Sequence, residues 1–253
     1  MSTSLFYGRF GNNIFTNLAA CMFSEKFNLL TTYNKYDECS KLGLELFVGE
    51  KQYDHTITIT ESNFIENFNK DSINCNVSFR DYFQSKIITN MTHKYLHSKM
   101  DRINSSNKFR ERYNNNNDCF IHVRLGDVSS YNPGFKYYDY ILSQINPDNI
   151  YLSTDDDNHI IIQQLKTKYN NLKIINYSLI DTILFGSTNK FVILSHGTFS
   201  GIIGYMSFYS KVYFIKENAS TSWDYNNGNE EFSIFKDKFS TISQFNEVDV
   251  LTL

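Results

Sequence analysis

From Cys119 onward the chain alternates short apolar runs with segments of helical period. Phe120, Ile121 and Val123 predict a short buried strand that breaks at Gly126-Asp127. Residues 136–145 put Tyr137, Ile141 and Ile145 on one helical face, and Pro147-Asp148 stops that helix. Residues 149–154 predict the next strand, which runs into Asp155-Asp156-Asp157. A helix over 160–169, a strand over 172–175 and a helix over 179–185 follow. Residues 190–195 are nearly all apolar, the mark of a strand buried on both faces of a parallel sheet. A loop over 196–201, a helix over 201–209 and a strand over 211–215 complete the series. This alternation predicts a doubly wound α/β domain. The tail from Glu217 is polar and aromatic without a legible period.

The first half has the same grammar in shorter pieces. A strand over 4–7 leads to a turn at Gly8-Arg9-Phe10-Gly11, with Asn12 or Asn13 as N-cap of a helix. Ile14, Leu18 and Met22 form one row on that helix, and Phe15, Ala19 and Phe23 an adjacent one, predicting a buried stripe. Strand, glycine turn and helix leave a helix N-terminus open to an anion; the alternative is a turn that needs glycine for backbone reasons alone. Strands are predicted over 29–33 and 55–60, a short loop or helix over 63–69, and partly extended chain over 77–84. A helix over 87–100 spaces His93 and His97 at i, i+4, which suits metal chelation, but no third ligand follows, so a solvated helix face is expected. Residues 101–117 are polar and end in four asparagines. That reads as a linker between domains at 1–117 and 118–253.

Composition narrows the function. With 24 basic and 27 acidic residues the charge is near balance, which gives no footprint for nucleic acid. Cys21, Cys39, Cys75 and Cys119 lie far apart and read as free thiols in a reducing, cytoplasmic compartment. No apolar run approaches the roughly 20 residues that span a bilayer, and the N-terminal residues do not form a secretory signal. A chain without a membrane span is expected.

Three polar clusters then fall at the C-terminal ends of three predicted parallel strands: His122 with Arg124, Asp155 with Asp156, and His196 with Thr198 and Ser200. Open α/β sheets bind ligands at that edge. Arginine suits a diphosphate, the aspartates can accept hydrogen bonds from a base or ribose, and the Thr/Ser loop can cap a phosphate. Each cluster alone also reads as helix capping, and Arg124 alone as a strand-end salt bridge to Asp127.

Five stretches carry a family resemblance: GRFGNNIF at 8–15, DYFQS at 81–85, IHVRLGD at 121–127, YLSTDD at 151–156 and HGTFSG at 196–201. In this order they resemble the motifs of the α-1,2-fucosyltransferases, glycosyltransferase family 11, and more distantly the α-1,6- and protein O-fucosyltransferases. The resemblance implies an α/β, GT-B-like fold of two Rossmann-like domains facing a cleft. The 1–117 domain would serve the acceptor, and 118–253 the nucleotide sugar. It implies GDP-fucose as donor, a glycan hydroxyl as acceptor, inversion, and neither metal nor other cofactor. By it, Arg124 would hold the β-phosphate, and His122 and Asp155 or Asp156 the guanosine. His196, Thr198, Phe199 and Ser200 would line the donor site. Gly8, Arg9, Gly11 and Asn12 would face the donor from the N-terminal domain, and Asp127 is nominated as base by motif. Leu125 stands where the family has a second arginine, a role that Arg9 could take over. The alternatives are a metal-dependent transferase, with Asp155-x-Asp157 as its D-x-D pair, and a non-catalytic nucleotide-sugar-binding relative.

Overall fold

The computed structural model describes residues 1–5 and 8–214. The chain divides into two compact units, the first ending at Ser106 and the second beginning at Asn107.

In the first unit the elements are β1 (Ser2–Ser4), α1 (Phe10–Phe27), β2 (Thr31–Thr32), α2 (Tyr36–Lys41), β3 (Thr56–Ile59), α3 (Glu61–Phe68), β4 (Asn76–Phe79), α4 (Lys86–Ser98) and α5 (Met100–Ser106). The sheet order is β2-β1-β4-β3, with every pairing parallel. The expected strand over 4–7 sits earlier, at β1, and Phe6 and Tyr7 lie outside the described residues.

The first helix departs from the expected stripe. From Asn13 to Ser24 every residue of α1 is buried. Apolar positions on all sides bury a helix completely, and its polar residues must then find partners inside. Asn17 Oδ1 accepts from Ser4 Oγ at 2.6 Å, Thr16 Oγ1 donates to the Asp81 carbonyl at 3.0 Å, and Ser24 and Thr31 hydroxyls bond at 2.6 Å. Around Phe23 cluster Phe27, Phe64, Phe68 and Phe79, with ring centroids 5.1 to 5.4 Å from it. On α4, His93 and His97 meet edge-on with centroids 4.4 Å apart, both partly buried instead of on a solvated face.

The second unit contains β5 (Cys119–Val123), α6 (Phe135–Ile145), β6 (Ile150–Thr154), α7 (Ile160–Lys168), β7 (Leu172–Ile174), α8 (Leu179–Gly186), β8 (Phe191–Leu194), α9 (Thr198–Met206) and β9 (Lys211–Phe214). All five strands are parallel in the order β7-β6-β5-β8-β9. Numbered within the unit, this is the 3-2-1-4-5 order of a Rossmann half-sheet and its extension. Cys119, Ile121 and Val123 pack under α6 and α7 with Tyr137, Tyr138, Ile141, Ile162 and Leu165. Phe120 and His122 face the opposite way, against Gly186 of α8 and Ser200 of α9. Period-two alternation in β5 thus serves helices on both faces. A Cβ at Gly186 would lie 2.9 Å from the Phe120 ring, so glycine is what lets α8 approach the sheet. The expected tail from 217 lies outside the described residues.

The expected linker is structured. Its first part forms α5, and residues 107–117 are fastened to the second unit. Arg112 Nη2 donates to Asp118 Oδ2 at 2.7 Å and to Asn189 Oδ1 at 2.9 Å. The same guanidinium lies 4.6 Å from the Phe185 ring centroid. Asn107 Nδ2 donates to the Leu184 carbonyl at 2.9 Å, and Asn116 Nδ2 to that of Thr188 at 3.0 Å. The asparagines are side-chain clasps on the end of α8 and the turn that follows it, and the division falls ahead of them.

All four cysteines are buried and free. Among the described residues no helix is long and apolar enough to cross a membrane. Asp118 is buried, so Arg112→Ala leaves its carboxylate without its cation. We expect a loss of about 3 kcal/mol, measured as a lower urea midpoint for the second unit's transition.

Candidate functional site

The sheet order of the second unit creates the site. Strand β5 has β6 on one side and β8 on the other. The chain winds away from β5 in one direction through β6 and β7, and returns beside it as β8. The crevice outside the C-terminal ends of β5 and β8 is therefore the topological switch point, where such sheets bind ligands. Three of the sequence clusters reach this edge, from β5, β6 and β8.

Arg124 lies one residue past β5. Its N–H donates to Ser195 Oγ at 2.9 Å, which ties the end of β5 to the end of β8. Its guanidinium donates to two carboxylates, Nη1 to Asp155 and Nη2 to Asp127. Asp155 also accepts the Leu125 N–H at 2.7 Å, so one carboxylate fixes both side chain and backbone of this corner. Gly126, at φ +23°, leaves room for it: a Cβ there would lie 2.6 Å from Asp155 Oδ2. Arg124 keeps 20% of its side chain exposed, Asp155 32% and Asp127 55%. The salt bridge to Asp127 is thus present, and Asp155 makes a second one beside it. Asp156 turns elsewhere, accepting the Asn158 N–H at 3.1 Å.

Behind the arginine runs a buried relay. His122 Nδ1 and Ser200 Oγ are 2.6 Å apart, and Ser200 Oγ lies 3.3 Å from Ser195 Oγ. The His122 ring also meets Phe199 with centroids at 5.1 Å. Burial lowers the pKa of His122 to about 4, with Asp155 opposing and His196 adding to the fall. His196 is likewise lowered to about 4, by burial first and then by the Arg124 cation. Both imidazoles are neutral at physiological pH.

The stretch expected as a loop over 196–201 instead enters helix α9 at Thr198, after Gly197 at φ +96°. Thr198, Phe199 and Ser200 form its first turn. A first helical turn that begins just past a parallel strand is the feature that favours an anion in such sheets. Leu125 is fully buried in the core under α6, so the position where the resembled motif has its second arginine is here an interior one.

Gly8, Arg9, Gly11 and Asn12 belong to the first unit, at its own switch point between β1 and β4. Helix α1 begins earlier than expected. Arg9 is its N-cap, and Asn12 and Asn13 lie inside the first turn. Asn13 Nδ2 reaches back to the Arg9 carbonyl at 2.8 Å. Gln84 Nε2 donates to Asn12 Oδ1 at 3.1 Å, joining the 8–15 and 81–85 stretches at one edge. Gly8, at φ +63°, permits this, since a Cβ there would clash with the Asn12 amide at 2.3 Å.

The sequence does not single out Ser195, Asn132 or Tyr138, and it shows Gln84 only as part of the 81–85 stretch. Asn132 Nδ2 donates to the Arg124 carbonyl at 2.9 Å and lies 3.0 Å from the Tyr138 hydroxyl. Ser195 was legible only as the last residue of an apolar run. Nothing in Asn132-Pro133-Gly134 beyond a turn signal points at Arg124. Among the described residues no group of three or more metal-ligating side chains gathers. A metal at Asp155-x-Asp157 would have to compete with the Arg124 guanidinium and the Leu125 N–H for Asp155.

No protein-family model matches the chain, and no curated protein sequence matches it. Solved structures do. The E. coli heptosyltransferase WaaC, solved with ADP-2-deoxy-2-fluoro heptose, is similar at TM-score 0.50 and 9% identity, over 98% of this chain and 99% of that one. POFUT1 in complex with GDP is similar at TM-score 0.45 and 10% identity, over 83% of this chain and 95% of that one. The NodZ α-1,6-fucosyltransferase soaked with GDP-fucose is similar at 0.37 and 11%, over 58% of this chain and 57% of that one. The fold class is the expected one, α/β and GT-B-like with two Rossmann-like units.

The neutral imidazoles make stability depend on pH. Unfolded histidine takes its proton near 6.5, whereas folded His122 and His196 do so near 4. Their contribution is complete above pH 6.5 and is lost as pH falls through about 4, where the unfolded chain binds more protons. Each is worth about 3 kcal/mol at most. We expect the urea midpoint to fall between pH 7 and pH 4, and to fall less steeply in His122→Asn, which removes one of the two groups.

Proposed function

We propose that the chain is a glycosyltransferase that moves L-fucose from GDP-fucose to a glycan hydroxyl, forming an α-1,2 linkage with inversion and without a metal ion. The observation that carries the transferase reading is the convergence of Arg124, the first turn of α9 and the Ser195–Ser200–His122 relay at the β5/β8 switch point. A guanidinium and a helix N-terminus on one edge suit a diphosphate. The guanine and fucose parts of the reading rest on the five ordered motif stretches. Two of these meet in the first unit through Asn12 and Gln84, and three in the second through Arg124, Asp155 and Ser200.

In this reading the Arg124 guanidinium and the α9 amides stabilise the charge that develops on the departing diphosphate as the sugar C1–O bond breaks. The acceptor oxygen attacks the opposite face of C1, and Asp127 is the carboxylate offered for its proton. Asp155 and Ser195 hold the arginine in place, while His122 acts through Ser200. The motif resemblance alone supports a donor role for Asp156, His196, Thr198 and Phe199, and for Gly8, Arg9, Gly11 and Asn12.

Two measurements test this. In a thermal-shift panel of GDP, UDP, CDP and their sugars, GDP and GDP-fucose should raise Tm and EDTA should leave the shift unchanged; a preference for UDP would overturn the donor assignment. Arg124→Ala should keep its fold and lose transfer by about a hundredfold or more, since a charge-assisted contact to the leaving group is worth ~3 kcal/mol. Turnover near wild type would remove Arg124 from the mechanism.

A further inference from the structure

The guanidinium meant for a phosphate is already engaged by two carboxylates, and the two are held very differently. Asp155 is fixed from two sides. It accepts from Arg124 Nη1 and from the Leu125 N–H, and Gly126 leaves the space that its Oδ2 occupies. Asp127 instead reaches Arg124 Nη2 from an exposed short 3-10 turn over Gly126–Tyr131, with 55% of its side chain in solvent. An exposed ion pair is weak because water competes for both partners. The pair to Asp155, whose side chain is 32% exposed, is less open to that competition.

We infer that Asp127 is a resident counter-anion, which the diphosphate replaces on Arg124 Nη2, while Asp155 stays in place as the positioning carboxylate. This inference rests on the nucleotide-diphosphate reading above. With both imidazoles neutral, Arg124, Asp127 and Asp155 sum to one negative charge, and an incoming polyanion meets that charge unless Asp127 moves aside. The exchange sets a threshold: an anion of higher charge than a carboxylate displaces Asp127, and a weaker one does not. It also acts on the product. Breaking the sugar bond leaves a terminal phosphate that can carry two charges, which Arg124 alone would grip harder than the donor. Once Asp127 has passed the acceptor's proton to solvent, its carboxylate on the adjacent turn competes with the phosphate and favours release.

The test is titration calorimetry of the full chain with inorganic pyrophosphate and with GDP at low salt. Asp127→Asn should bind both about tenfold more tightly than wild type, and Asp127→Glu, which restores the charge, should bind as wild type does. The gain should shrink at high salt. Asp155→Asn removes the same charge from the same guanidinium, yet should bind about fivefold more weakly, because Arg124 and the Leu125 N–H lose their anchor. Near-UV circular dichroism confirms that each variant is folded. Unchanged or weaker binding in Asp127→Asn, beside a wild type that binds, overturns the exchange and leaves the transferase reading standing. Equal tightening in both asparagine variants reduces the effect to net charge and also overturns it. No binding of either probe by wild type and Asp127→Asn alike removes the diphosphate reading itself.

Discussion

Asp155 binds both ends of one short segment, the side chain of Arg124 and the backbone N–H of Leu125. Those two bonds turn the end of β5 into a defined corner. Without them the arginine would be a long, solvated side chain with most of its rotamers open. The carboxylate arrives from β6, so the corner exists only because β6 pairs with β5 in register, His122 opposite Ser153 and Val123 opposite Thr154. On the other flank Ser195 does the same from β8, accepting the Arg124 N–H. Three neighbouring strands therefore meet around one residue, and the parallel sheet is the device that holds them there.

Period and composition made the second unit readable. Its strands are short apolar runs between helices of clear 3.6 period, and β5, β6, α6 and α7 lie within a residue or so of where the pattern puts them. A strand buried on both faces needs continuous apolar sequence, so the signal is strong. The three clusters at the strand ends were also legible, because helix-capping and ligand-binding residues both collect after parallel strands. What could not be read was which side chain meets which. Ser195 and Asn132 act on the backbone of Arg124, and such contacts leave no periodic trace.

The first unit was harder for physical reasons. Helix α1 is buried on every side, so amphipathic contrast, the usual helical signal, is missing. Its start was misplaced because Asn12 and Asn13 look like N-caps, while the chain uses Arg9 at that position and Asn13 bonds back to it. Residues 107–117 were misread for the opposite reason. Polar composition suggests solvent, but amide side chains also pair well with carbonyls left over at a helix end, and here Asn107 and Asn116 do so at the last turn of α8 and just after it. Composition alone does not distinguish an asparagine facing water from one satisfying a buried backbone group.

The burial of α1 has a consequence for how the protein is made. The helix leaves the ribosome early, whereas β4 and α4, which supply much of its cover, are translated roughly fifty or more residues later. During that interval a nascent cylinder that is buried all round, with Phe15, Phe23 and Phe27 along one row and Ile14 and Leu18 along the next, has little to bury them against. Synthesis of this chain therefore passes through a sticky stage that a two-faced helix would avoid, and its yield in cells depends on how quickly translation reaches α4 and on which chaperones attend the wait.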